Sequence, residues 1–194
     1  MRETILILSL AMAATALAQT PAPNRPRKVL TPEQIAYQTQ LKTYNAERLH
    51  LRDAANAAYV AEIAREKAGD CPNVTTTYDI NVCIGRKADT TRANYKAFTT
   101  ALRAMLDLLD PAVPGEDKPY IGPTGPAATP ATNTAAFDKA EAAWQTYETA
   151  ECNAVDTFWR GGTIVNAMVG ECDLRQTRNR LPELDTVYSV THPR

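Results

Sequence analysis

Apolar residues recur along this chain at alternating intervals of four and three, most regularly at Ile84, Ala88, Thr91, Tyr95, Phe98, Leu102, Met105 and Leu109. That spacing is a helical seam, and it predicts a helix over roughly 78–109 that packs on a neighbour at a shallow angle. Thr76-x-x-Asp79 supplies its start signal. Upstream, Thr31-Pro32-Glu33-Gln34 reads as a capping box with proline in the first turn. Nothing interrupts the helix formers from there to about Ala68. Ile35, Leu41, Tyr44, Leu51, Ala55, Tyr59 and Ile63 form a thin, imperfect stripe on this long helix, which spans roughly 55 Å. Gly69 to Asn73 ends it. A third helix is expected over roughly 135–159, capped by Asn133 or Thr134, with Phe137, Ala140, Trp144, Tyr147, Val155 and Phe158 on one face. Gly161-Gly162 breaks it, and Thr163 caps a fourth whose buried side is Val165, Met168, Val169, Cys172, Leu184 and Tyr188. Pro182 lies inside that last helix and predicts a kink or restart near Leu181. No alternating strand pattern of useful length occurs. The class is therefore all-α: an antiparallel helical bundle preceded by a long N-terminal helix.

The remaining segments are not core. Residues 1–18 carry Arg2, an apolar run from Ile5 to Ala14 and Ala16-Leu17-Ala18 as a small-x-small cleavage site, which is the grammar of an export signal. The run is short for a membrane span, and no cysteine follows it to take a lipid. A Pro-rich linker, 19–30, leads to the long helix, 31–69, and then to a domain over 71–190. Residues 111–132 hold a Pro- and Gly-rich insert, the composition of a spacer.

Four cysteines in an exported chain point to two disulfides. Cys152 and Cys172 each lie ten residues from Gly162, so on antiparallel helices both thiols sit about 15 Å from the turn and face each other. Cys71–Cys83 then closes a short loop onto the start of the second helix. The alternative pairings would tie the two hairpins together. The spacings C-x11-C and C-x19-C, with only His50 and His192 available, match no structural zinc pattern. No metal or cofactor is expected.

The net charge is −1, which provides no basic excess for nucleic acid and no acidic excess to steer a basic protein. No catalytic motif is present. His192 is near the C-terminus and His50 lies on the long helix. Glu148 and Glu151 share a helix face, more in the manner of a solvated or arginine-paired rim than of an acid–base pair. Asn73-Val74-Thr75 matches a glycosylation triplet that occurs often by chance.

Trp144, Tyr147, Cys152, Gly161-Gly162, Cys172, Thr177, Arg180 and Leu184, preceded by Cys71, Tyr78-Asp79-Ile80-Asn81, Cys83 and Tyr95, resemble the LprI-like lysozyme-inhibitor family over roughly 71–188. Glu148-Thr149 stands where that pattern has Arg-Asp, and Gly-Gly-Thr where it has Gly-Gly-Ser. The resemblance implies an exported helical domain of a family with at least one member described as a lysozyme inhibitor, and with no catalytic motif in the chain no enzyme activity is expected. Trp144 and Tyr147 would then fill the core, Gly161 and Gly162 form the turn, Thr177 and Arg180 cap or brace the last helix, and Arg180 meets Glu148 or Glu151. An inhibitor must occlude a cleft that holds two carboxyl groups. Lys118 and Tyr120 in the insert supply a cation and an aromatic suited to it. The alternative is a structural protein of the envelope, with helix 32–68 docking a partner helix through its stripe.

Overall fold

In the computed structural model, residues 29–69, 71–115, 121–122 and 125–191 are described. The expected signal sequence, most of the linker, Lys118, Tyr120 and His192 lie outside them. Thr31–Arg194 forms one compact unit. It consists of α1 (Pro32–Lys67), α2 (Thr77–Leu106), α3 (Pro130–Trp159) and α4 (Val165–Tyr188), with a two-residue antiparallel pairing of β1 (Ile121–Gly122) and β2 (Gly125–Pro126) between α2 and α3. The all-α class holds. α1 packs on α2, α2 on α4 and α4 on α3, while α2 and α3 touch little. A forked pair ties those two together: Arg103 Nε and Nη2 donate to Asp138 at 2.7 and 2.8 Å. Through that hydrogen bond Arg103 holds the Asp138 carboxyl below its ordinary range.

The start signals work as read for two helices. The Thr31 hydroxyl and the Gln34 side chain close the capping box of α1, and Thr76 Oγ1 accepts from the Asp79 amide of α2. α3 begins earlier than expected because Thr129-Pro130 repeats the Thr31-Pro32 grammar; Thr129 Oγ1, not Asn133 or Thr134, takes the cap bond. Gly69 (φ +75) and Cys71 (φ +55) turn the chain left-handed between α1 and α2. α4 runs as one helix across Pro182 with no restart.

Thr163 does not cap α4. Ile164 stands at the cap position, and its side chain makes no capping bond. Asn81 of α2 does that work from across the bundle: its Oδ1 accepts from the Ala167 amide at 2.9 Å and its Nδ2 donates to the Thr163 carbonyl at 3.1 Å. One amide thus satisfies an orphan donor at the helix start and clamps the turn before it. Asn81→Ala is expected to cost about 1–2 kcal/mol, read as a lower urea midpoint with an unchanged slope; an unshifted midpoint would refute the clamp.

The core is Ala55, Ala58, Tyr95, Phe98, Ala101, Leu102, Phe137, Leu181, Leu184 and Val190. The α2 seam is buried as read from Ile84 to Leu102, but Leu109 lies beyond the helix and is exposed. On α1 the buried line is Ala55, Ala58, Glu62 and Arg65, one position before Tyr59 and Ile63, and Ile35 is exposed. The register differs because Glu62 is satisfied inside. It accepts from Thr91 Oγ1 (2.8 Å), Asn94 Nδ2 (2.9 Å) and Arg65 Nε (2.7 Å). The long helix is therefore docked along α2 by its C-terminal half, and the alanines let the two backbones approach.

Both expected disulfides are present, Cys71–Cys83 and Cys152–Cys172. The second is fully buried between α3 and α4. Nearby, the backbones of α2 and α4 cross so closely that a Cβ on Gly170 would lie 2.8 Å from Ile84 Cγ2. Glycine at 170 is what permits that approach.

Candidate functional site

The inward line of α3 is Phe137, Glu141, Trp144, Glu148, Cys152 and Val155, at spacings of four and three. It differs from the apolar stripe by two acidic residues. Tyr147, expected in the core, is 56% exposed, and Phe158 is 80% exposed. Glu141 and Glu148 occupy the positions that an apolar reading assigns elsewhere.

Glu141 is the centre of a buried cluster. Tyr95 of α2 donates its hydroxyl proton to Glu141 Oε2, and Arg180 of α4 donates from Nη2 to Oε1 at 2.8 Å. The Arg180 guanidinium also lies 5.8 Å from the Trp144 ring centroid, and Tyr95 packs 5.1 Å from Trp144. Burial, then the bond to Glu141, pushes the Tyr95 hydroxyl far above its ordinary range. Burial works against the charge on Arg180, but Glu141 outweighs it and the net shift is upward. Sequence reasoning brought Tyr95, Trp144 and Arg180 to attention separately and missed Glu141. Its spacing, four after Phe137 and three before Trp144, was the available signal. Arg180 meets Glu141 and, at 3.3 Å, Glu183, not Glu148 or Glu151. Thr177 is buried in mid-helix rather than at a cap.

Glu148 faces Asp173 of α4, with their oxygens and Cys152 Sγ all within 4.8 Å of one another. Cys152 is bonded to Cys172, so it offers no thiolate. Arg92 of α2 closes the group, donating to Asp173 at 2.5 Å and to Asp89 at 2.9 Å. Burial, then the hydrogen bond and charge of Asp173, raise the Glu148 carboxyl from about 4.5 to about 7. A carboxyl raised in the folded state binds its proton more tightly there than in the unfolded chain. Stability from this group therefore falls as pH rises from about 4.5 to 7, then levels. Glu148→Gln is expected to flatten that slope and to gain on the order of 1 kcal/mol above pH 7, after allowance for solvent screening. Parallel pH–stability curves for the two proteins would contradict this.

The last element is the α3–α4 turn. Gly161 sits at φ +88, the Gly162 amide donates to the Trp159 carbonyl at 3.0 Å, and Phe158 stands edge-on to Trp159 with centroids 5.5 Å apart. Beneath Trp159 an open cleft of about 410 Å³ is floored by Ile84, Val155, Met168 and Leu174 and edged by Arg175. Lys118 and Tyr120 lie outside the described residues, so nothing is added to their sequence reading. Among the described residues no helix is long and apolar enough to cross a membrane.

The sequence features thus converge on a doubly stapled bundle whose aromatic and arginine residues meet around one buried carboxylate. No curated protein and no solved structure matches the chain. The family model described as "Lysozyme inhibitor LprI" matches residues 68–184, from the end of α1 to Leu184, and the chain belongs to that family.

Proposed function

We propose that this protein is an exported binding module that inhibits lysozyme or another peptidoglycan-cleaving enzyme. The family match over 68–184 carries the reading. Two features support it. Both disulfides call for an oxidising compartment, in keeping with residues 1–18 acting as a cleavable signal and the mature chain being periplasmic or secreted. The residues that carry the family pattern build a rigid scaffold rather than a reaction centre: Tyr95 and Arg180 hold Glu141, and Trp144 packs against both of them. A protein inhibitor needs a stiff frame that presents a few exposed groups. The test is turnover of cell walls by lysozyme with the oxidised protein in excess; undiminished turnover sinks the proposal. Lys118 and Tyr120 are a candidate contact, tested by K118A/Y120A in the same assay.

One observation favours a second reading, an envelope-interaction protein. α1 lies wholly outside the family match, and its N-terminal half exposes Ile35 and Leu49 beside the half-buried Tyr37, Leu41 and Tyr44. In that reading the helix docks a partner helix. A monomeric mass in solution with no cross-linked envelope partner argues against it.

A further inference from the structure

The end of the bundle where α3 turns into α4 is built differently from the rest of the surface. Phe158, Trp159, Arg160, Gly161 and Gly162 are five consecutive exposed residues. Phe158 is 80% and Trp159 38% exposed. Phe158 leaves most of its ring in water, while Trp159 roofs the cleft below it and keeps about a third of its surface exposed; exposed apolar surface of this kind marks contact surfaces. A segment that carries aromatic rings and arginine and lacks lysine suits the centre of an interface, where Trp, Tyr and Arg dominate the binding energy.

This tip is also held rigidly from both sides. The buried Cys152–Cys172 bond joins its two helices. The turn itself is closed by the Gly162 amide on the Trp159 carbonyl, and the left-handed Gly161 accommodates the reversal without a Cβ. Asn81 clamps the Thr163 carbonyl and the Ala167 amide just beyond it. Arg160 is aimed by Asp156, 2.9 Å away on the preceding helical turn. Little conformational freedom is left to lose when such a tip enters a cleft.

We propose that the α3–α4 tip, with Phe158, Trp159 and Arg160 leading, is the segment that enters the glycan-binding cleft of the target enzyme; the proposal rests on the inhibitor reading above. The occupant follows from complementary shape and charge. A glycoside-cleaving cleft is concave and carries two carboxyl groups on either side of the scissile bond. The tip presents the exposed Phe158 ring and the Arg160 guanidinium, which shares its charge with Asp156, and the groove under Trp159 is lined by two further cations, Arg175 and Arg178, against one carboxylate, Glu171. Arg175 has no ion pair among the described residues. The rings lie against the sugar-stacking walls of the cleft, and Arg160 faces its carboxylates.

The tip follows the C-terminal end of α3, and Thr129 caps its other end. That helix has 30 residues, so its ends are about 45 Å apart. The experiment compares the oxidised full chain with F158A, R160E, F158S/W159S and K118A/Y120A, using lysozyme and a second peptidoglycan glycosidase as probes. Inhibition constants come from cell-wall turbidity, and circular dichroism is recorded in parallel. F158A and R160E alter side chains that are largely solvent-exposed, so their folding is not at stake if F158S/W159S loses helicity. The expected result is a tenfold or greater rise in the inhibition constant for F158S/W159S, a severalfold rise for F158A and R160E, and less than a twofold change for K118A/Y120A. Parental inhibition by F158A and R160E together overturns the tip while leaving the inhibitor reading intact. A parent protein that slows neither enzyme overturns both.

Discussion

Arg180→Met is expected to destabilise the protein by about 3 kcal/mol, because it strands Glu141 inside the bundle without its cation. Glu141 is 7% exposed, and the side chains of Arg180 and Glu141 are 19% and 10% exposed. The pair is largely buried, so removing one partner leaves a charge that water cannot reach. Tyr95 alone would remain as its donor. For a chain of this size the change corresponds to a fall in Tm of roughly 6–12 °C. The double variant E141Q/R180M should recover part of the loss, because no buried charge is then left over. A deficit below about 1 kcal/mol, or one that E141Q/R180M does not reduce, would show that the cluster is solvated and does not brace the bundle.

Removing the Cys152–Cys172 bridge has a comparable effect through the unfolded chain. The two residues are 20 apart, and closing a loop of that length is worth about 3 kcal/mol by chain entropy. C152A/C172A should therefore unfold at clearly lower urea. Loss of Cys71–Cys83, 12 apart, is worth nearly as much by the same relation, so stability alone does not distinguish them. Inhibition does. The first bridge joins α3, which carries Phe158 and Trp159, to α4 on the other side of the tip, and the second ties the α1–α2 turn to α2. C152A/C172A should weaken inhibition more than C71A/C83A under conditions where both remain folded. Equal inhibition by the two would show that the bridge does not position the tip.

These two clusters also mark where reading the chain stopped short. The residues missed were charged residues on buried lines: Glu62 and Arg65 on α1, Glu141 and Glu148 on α3. An apolar stripe drawn on either helix skips them and slips by one position, which is how Tyr59 replaced Ala58, and Tyr147 replaced Glu148. Nothing local shows that Glu62 is satisfied, because its partners Thr91 and Asn94 are on the next helix. The same holds for Asn81, 86 residues from the amide it caps. Phe158 was assigned to the interior because its spacing continues the stripe, yet α4 departs at the Gly161 turn and leaves no helix to cover it.

Local chemistry by itself determined the helical class, the Thr-Pro and Thr-x-x-Asp starts, the glycine turns and both disulfides, because caps, breakers and equal loop arms act over a few residues. Tertiary structure alone decided which way each helix rotates about its axis, which carboxylates go inside, and that the Phe158 ring stays out. A buried charge is stable only when its partner arrives from another helix, and no property of the helix that carries it reveals whether one will.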